Sequence, residues 1–158
     1  MDIRTYRLNE VIFRQGEPGD CMYDLQFGKV GIFIDYGGPN QKKIAELMPD
    51  QFFGEMGLLD HAPRSATAVS LAPDTVVDVI TEDGFYDLFE KNPSKVLLLM
   101  QQMCARLRRT TKDYVEACRT VHDTVEAEKA GVKKSESLKD RIKKFHEQYV
   151  GFNYQAHS

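Results

Sequence analysis

The residues whose types and spacing could do chemistry lie in Phe52-Phe-Gly-Glu-Met-Gly-Leu-Leu-Asp60 and the following His61-Ala-Pro-Arg-Ser-Ala-Thr-Ala68. Gly54 permits a tight exit from a strand, and Glu55 to Leu59 can form one helical turn. The N–H groups at such a helix start attract an anion, phosphate above all. Gly57 removes a side chain where a ligand or a neighbouring backbone could approach closely. Pro63 fixes the entry to a strand that opens with Arg64, whose planar fork suits two phosphate oxygens. Ser65 adds a hydroxyl donor beside it. Glu55 is the odd member, because a carboxylate repels phosphate, and it makes sense if the ligand also presents hydroxyls, as a ribose does. Phosphate and sugar together mean a nucleotide.

The elements that must hold these residues are short strands. Val11–Phe13, Met22–Phe27, Val30–Asp35, Lys42–Met48, Ser65–Leu71 and Thr75–Ile80 are apolar or alternating runs. Turn residues separate them, among them Gly16-Glu-Pro-Gly19, Gly28 and Tyr36-Gly-Gly-Pro-Asn40. Strands at this spacing predict an antiparallel sandwich or barrel. At Thr81 the period changes. Thr81 is an N-cap before Glu82 and Asp83, and Phe85, Leu88 and Phe89 follow at helical spacing. Asn92-Pro93 ends that helix, and Ser94 can cap the next.

From Val96 the apolar positions run Met100, Met103, Leu107, Thr110, Tyr114, Ala117, Val121, a heptad seam of about four repeats. Leu97–Met100 suit packing on the β region equally well; beyond Arg108 the helix is too polar to be buried, and a parallel two-stranded coil fits better. Ala130 to Ser137 reads as a linker. Leu138, Ile142, Phe145 and Tyr149 then form the apolar stripe of a short helix beside Lys139, Arg141, Lys143 and Lys144. The three regions are thus 1–94, 95–128 and 129–158.

The 158 residues, 42% hydrophobic and 28% charged, fit one folded domain with an appendage. Charge is divided unevenly: residues 1–93 hold 8 Lys+Arg against 16 Asp+Glu, and residues 94–158 hold 13 against 8. The acidic part is a poor nucleic-acid surface. The basic stripe could contact acidic lipid, RNA or an acidic protein. No run reaches the roughly 18–20 apolar residues of a membrane span, and the charged N-terminus is no signal peptide, so a cytoplasmic protein is expected. Cys21, Cys104 and Cys118 have no disulfide or metal spacing, and the four histidines are scattered. Neither a metal nor a cofactor is expected. With no P-loop or catalytic triad either, the ligand is expected to stay intact and the protein not to be an enzyme.

The Phe52–Ala68 segment resembles the phosphate-binding cassette of the cyclic nucleotide-binding domain family, whose pattern is F-G-E-x-[AG]-L-[LM], a loop, then [PR]-R-[AST]-A. Gly16–Tyr23 and Gly28-Lys-Val30 look like the family's early-strand blocks, so the resemblance covers about Tyr6 to Leu107. It implies a mainly β fold, an eight-stranded antiparallel β-roll of jelly-roll type, followed by helices. It also implies that Arg64 pairs with the cyclic phosphate and Glu55 accepts from the ribose 2′-hydroxyl. Gly54, Met56, Ser65 and Ala66 complete the ligand-binding set. Thr is frequent at the Ser65 position in cGMP binders and Ala in cAMP binders, so Ser65 settles neither.

Ala105 to Lys112 looks like the dimer helix of the bacterial catabolite activator branch, where a Thr-Ser pair meets the adenine base; Thr110 and Thr111 stand at that place. A polar seam position can equally set register. The resemblance implies a homodimer through the 95–128 helix that senses cAMP, with cGMP as the alternative, and signals to an unidentified protein effector. The winged helix-turn-helix of that branch does not fit into Glu128–Ser158, so DNA binding is not expected. The alternatives are a fold that binds cGMP, another nucleotide or nothing, or one that acts through its basic tail on nucleic acid or membrane.

Overall fold

The structure, a computed structural model, describes residues 2–129. Eight antiparallel strands come first: β1 (Asp2–Tyr6), β2 (Val11–Phe13), β3 (Cys21–Phe27), β4 (Val30–Ile34), β5 (Lys42–Leu47), β6 (Phe52–Phe53), β7 (Thr67–Ser70) and β8 (Thr75–Thr81). Three helices accompany them: α1 (Glu55–Asp60) between β6 and β7, then α2 (Glu82–Lys91) and α3 (Pro93–Lys129). The strands form two four-stranded sheets, ordered β1-β8-β3-β6 and β2-β7-β4-β5. This is the mainly antiparallel β fold with a long C-terminal helix that the sequence predicts.

The alternation of side chains along β3 explains the packing. Cys21, Tyr23 and Leu25 join a core with Phe13, Val30, Leu47, Phe53, Ala68, Val77 and Val79, drawn from both sheets. Met22, pointing the other way, joins Phe52, Leu58, Ile80, Leu88, Val96 and Leu99 in a second cluster built with the helices. A strand covered on both faces loses the polar half of its alternation, and β3 is buried at each of its first five residues.

Local differences from the sequence reading have physical reasons. Strand β1 has no apolar buried face, and Ile3 is 65% exposed; backbone pairing with β8, from Asp2↔Val79 to Tyr6↔Thr75, holds it. Strand β6 has only two residues, below any periodicity. The strand expected over Ser65–Leu71 spans only Thr67–Ser70, so Arg64 precedes the strand rather than opening it. Thr81 does cap α2, its hydroxyl accepting from Gly84 N at 3.4 Å. Ser94 does not cap the next helix. Pro93 is already its first residue, where a missing N–H costs nothing.

The chain divides into two units, Met1–Met103 and Cys104–Ser158. In the first, Val96 and Leu99 anchor the start of α3 in the second cluster, while Leu97 and Met100 stay exposed. In the second, Leu107 (67%) and Tyr114 (69%) are exposed at seam positions of α3. The amphipathic helix expected around Leu138, Ile142, Phe145 and Tyr149 lies outside the described residues. Among those described, no helix is long and apolar enough to cross a membrane.

Candidate functional site

The site is built around Arg64. Its backbone is held at both ends by the loop before β3: Arg64 N donates to Glu17 O, and Gly16 N donates to Arg64 O, each at 2.8 Å. The side chain turns inward and is only 4% exposed. Its Nη1 donates to Gly54 O at 2.7 Å and its Nη2 to Cys21 Sγ at 3.5 Å. The guanidinium lies over the Phe13 ring, 4.4 Å from its centroid, and 5.8 Å from that of Tyr23. Phe13, Tyr23 and Phe53 are mutually stacked at 5.0–6.0 Å, a rigid aromatic bed for the cation. Nε is buried and finds no hydrogen-bond partner among the described residues.

Gly54 faces Arg64 as the N-cap of α1 with φ of 74°. Two constraints exclude a side chain there: the left-handed backbone, and a built Cβ that would stand 2.8 Å from Arg64 Nη1. No side chain caps the helix, so its first-turn N–H groups have no competing oxygen from that source. Glu55, buried at 5% exposure, occupies the first helical position, where a carboxylate also complements the helix dipole. Met56 is 52% exposed at the surface of the turn, and its Sδ lies 3.9 Å from Ser65 Oγ. Ser65 is exposed and Ala66 buried. Gly54, Glu55 and Met56 thus form one turn that Arg64 and Ser65 reach, and Ala66 follows them in the chain.

The close approach at Gly57 is to neighbouring backbone. A Cβ there would meet Gly19 Cα at 2.9 Å, and one on Gly19 would meet Gly57 Cα at 2.6 Å. The loop beyond α1 is closed by Asp60 Oδ1, which accepts from Ala62 N at 3.0 Å. Thr110 and Thr111 lie in the second unit, both exposed. Thr110 Oγ1 donates to Arg106 O at 3.1 Å, and Thr111 lines an open groove along α3 with Leu107, Val115 and Arg119.

Sequence reasoning missed the side chains that hold Arg64: Phe13, Cys21 and Tyr23. Cys21 and Tyr23 fall in the Gly16–Tyr23 block, which the sequence marks as a turn and an early strand but not as part of the site; Phe13 lies outside it. Burial pushes the Tyr23 hydroxyl well above its ordinary pKa, and the hydrogen bond from Cys21 Sγ, 3.3 Å away, adds to the shift. A neutral phenol leaves Arg64 as the charge of this bed. The described residues include no cluster of side chains able to hold a metal ion.

Residues 3–92 match the family described as cyclic nucleotide-binding domain. The chain is similar to the cyclic AMP receptor protein of Thermus thermophilus, 34% identical over 105 residues, which are 66% of this chain and 48% of that protein. It is also similar to the cGMP-dependent protein kinase of Plasmodium berghei, 37% identical over 68 residues, 43% of this chain and 7% of the kinase. Among solved structures, the catabolite activator protein of Thermus thermophilus matches with a TM-score of 0.65 and 28% identity, over 83% of this chain and 64% of that one. The chain spans about half or less of the length of these curated relatives.

Proposed function

The chain belongs to the cyclic nucleotide-binding domain family, and from that premise we propose that it is a sensor of cAMP that binds its ligand without turning it over. The observation that carries this reading is Arg64, a buried guanidinium on an aromatic bed with an unpartnered Nε. Burying a cation this way is costly unless an anion completes its hydrogen bonds. A cyclic phosphate beside the uncapped turn at Gly54 does so. Arg64 takes the phosphate oxygens, helped by the backbone of Gly54, Met56 and Ala66 and the hydroxyl of Ser65. Glu55 accepts from the ribose 2′-hydroxyl.

Base recognition is assigned to Thr110 and Thr111. With its proton given to Arg106 O, the Thr110 oxygen keeps lone pairs for acceptance only. The exocyclic amino group of adenine donates, whereas guanine presents a carbonyl at that place. This favours cAMP. Ser65 keeps cGMP as the second reading, since its hydroxyl is exposed beside the turn. The exposed seam of Leu107, Tyr114 and Val121 supports a homodimer through α3. Ligand that binds two packings of that helix unequally shifts between them, and residues 129–158 carry the output to a protein effector.

Calorimetric titration with cAMP and with cGMP tests the proposal. One site per chain, micromolar or tighter for cAMP and weaker for cGMP, is the expected result. Absence of binding by both would leave the fold and remove the sensor role.

A further inference from the structure

Strand β6 sits at the edge of its sheet, paired on one side with β3 through Tyr23↔Phe53 and Asp24↔Phe52. On its other side no strand follows among the described residues. The side-chain amide of Gln102, from the third turn of α3, stands there instead. Its Oε1 accepts from Phe52 N at 3.0 Å and its Nε2 donates to Asp50 O at 2.8 Å. One carbonyl and one N–H in a single plane reproduce the pairing that a neighbouring strand would offer. The opposite end of the same rung is also held from α3: Lys95 Nζ pairs with the buried Asp24 Oδ2 at 2.5 Å. Two residues beyond Phe52 comes Gly54, whose carbonyl receives Arg64 Nη1 at 2.7 Å.

We propose that Gln102 is a positioning residue for the nucleotide pocket: its amide completes the open edge of β6 and thereby ties α3 to the turn that faces Arg64. The inference rests on the nucleotide-binding reading of that turn and adds how the helix is joined to it. Any movement of Gly54 O on ligand binding is transmitted through a two-residue strand to a hydrogen-bonded pair on the helix. Lys95 and Asp24 act as the fixed pivot of that connection, and Gln102 as its adjustable end.

The 158-residue chain carrying Gln102→Met, which keeps length and removes both hydrogen bonds, is compared with Gln102→Glu, which keeps the acceptor for Phe52 N and loses only the donor to Asp50 O. Circular dichroism melts establish that each is folded. Loss of two neutral hydrogen bonds should weaken cAMP binding by about fivefold to 150-fold in Gln102→Met. Gln102→Glu should lie nearer to wild type. In ligand-free protein the Phe52 and Gly54 amides should exchange faster in Gln102→Met and stay protected in Gln102→Glu. In wild type, the Gln102 side-chain amide resonances should shift on saturation with cAMP. A folded Gln102→Met that binds as wild type does, or a Gln102 resonance indifferent to the nucleotide, overturns the inference. If wild type binds neither cAMP nor cGMP, the sensor reading fails on its own, and unchanged exchange at Gly54 in Gln102→Met would then overturn the positioning role.

Discussion

Replacing Arg64 by methionine should separate binding from folding. Methionine has nearly the same reach, is unbranched and adapts to an irregular cavity. The ligand-free protein loses the hydrogen bond to Gly54 O, worth about 1.5–3 kcal/mol for a charged donor. It also loses the contact with the Phe13 ring, about 0.5–2 kcal/mol. Against this, the variant no longer buries an Nε without a partner, a penalty of about 1–3 kcal/mol, and no longer desolvates a cation, which adds several kcal/mol more. The two sides are of similar size, so unfolding free energy should change by less than about 2 kcal/mol. Binding has no such compensation. Each charge-assisted hydrogen bond to phosphate is worth about 1.5–3 kcal/mol, so cAMP affinity should fall at least tenfold and by about 150-fold at the upper end. Urea unfolding followed by circular dichroism gives the first quantity, and calorimetric titration the second. A variant that binds within threefold of wild type, or one that loses more than about 4 kcal/mol of stability, would show that Arg64 is a structural residue and refute the reasoning.

Substituting alanine for both Thr110 and Thr111 should weaken cAMP more than cGMP; equal losses in competition titrations would mean that the base is read elsewhere. Gly57→Ala forces a Cβ to 2.9 Å from Gly19 Cα, and overpacking of this kind should cost about 1–3 kcal/mol in a urea melt and weaken nucleotide binding as α1 shifts. Leu99→Ala empties a site that is 2% exposed and should lower stability by about 2–5 kcal/mol; a smaller change would place the start of α3 outside the cooperative core. The pH dependence follows from Tyr23, whose pKa burial raises above the ordinary 10.0. Above pH 10 the unfolded chain releases that proton and the folded one keeps it, so the unfolded state binds fewer protons and stability falls as pH rises. Tyr6 is raised for the same reason and contributes in the same direction. In Tyr23→Phe the alkaline fall in melting temperature should be shallower than in wild type.

The cassette was legible because its residues are contiguous and each is constrained by type: a glycine where φ is positive, an arginine before the next strand, a second glycine against a backbone. The switch to helical period at Thr81 was legible through the cap and the acidic first turn. What holds Arg64 was not. Phe13 and Tyr23 lie on other strands, and their service to a cation leaves no mark on the alternation that already places them in the core. The same applies to Gln102, which on α3 reads as one more polar residue until β6 is found beside it. Strand β1 escaped because its pairing is made by backbone, with exposed side chains that carry no pattern.

The contact between Gly19 and Gly57 has a consequence for how such a protein changes over generations. Both partners are bare backbone, so no gradual series of side-chain sizes exists through which selection could loosen or tighten this joint. Substitution at either position is a step rather than a dial. On the proposed reading of this turn, fine adjustment of ligand preference falls to its exposed positions, Met56 and Ser65, where bulk and polarity can be exchanged without disturbing the joint. A lineage drifting from one nucleotide to another would accumulate its differences there, while the glycine pair stayed as it is.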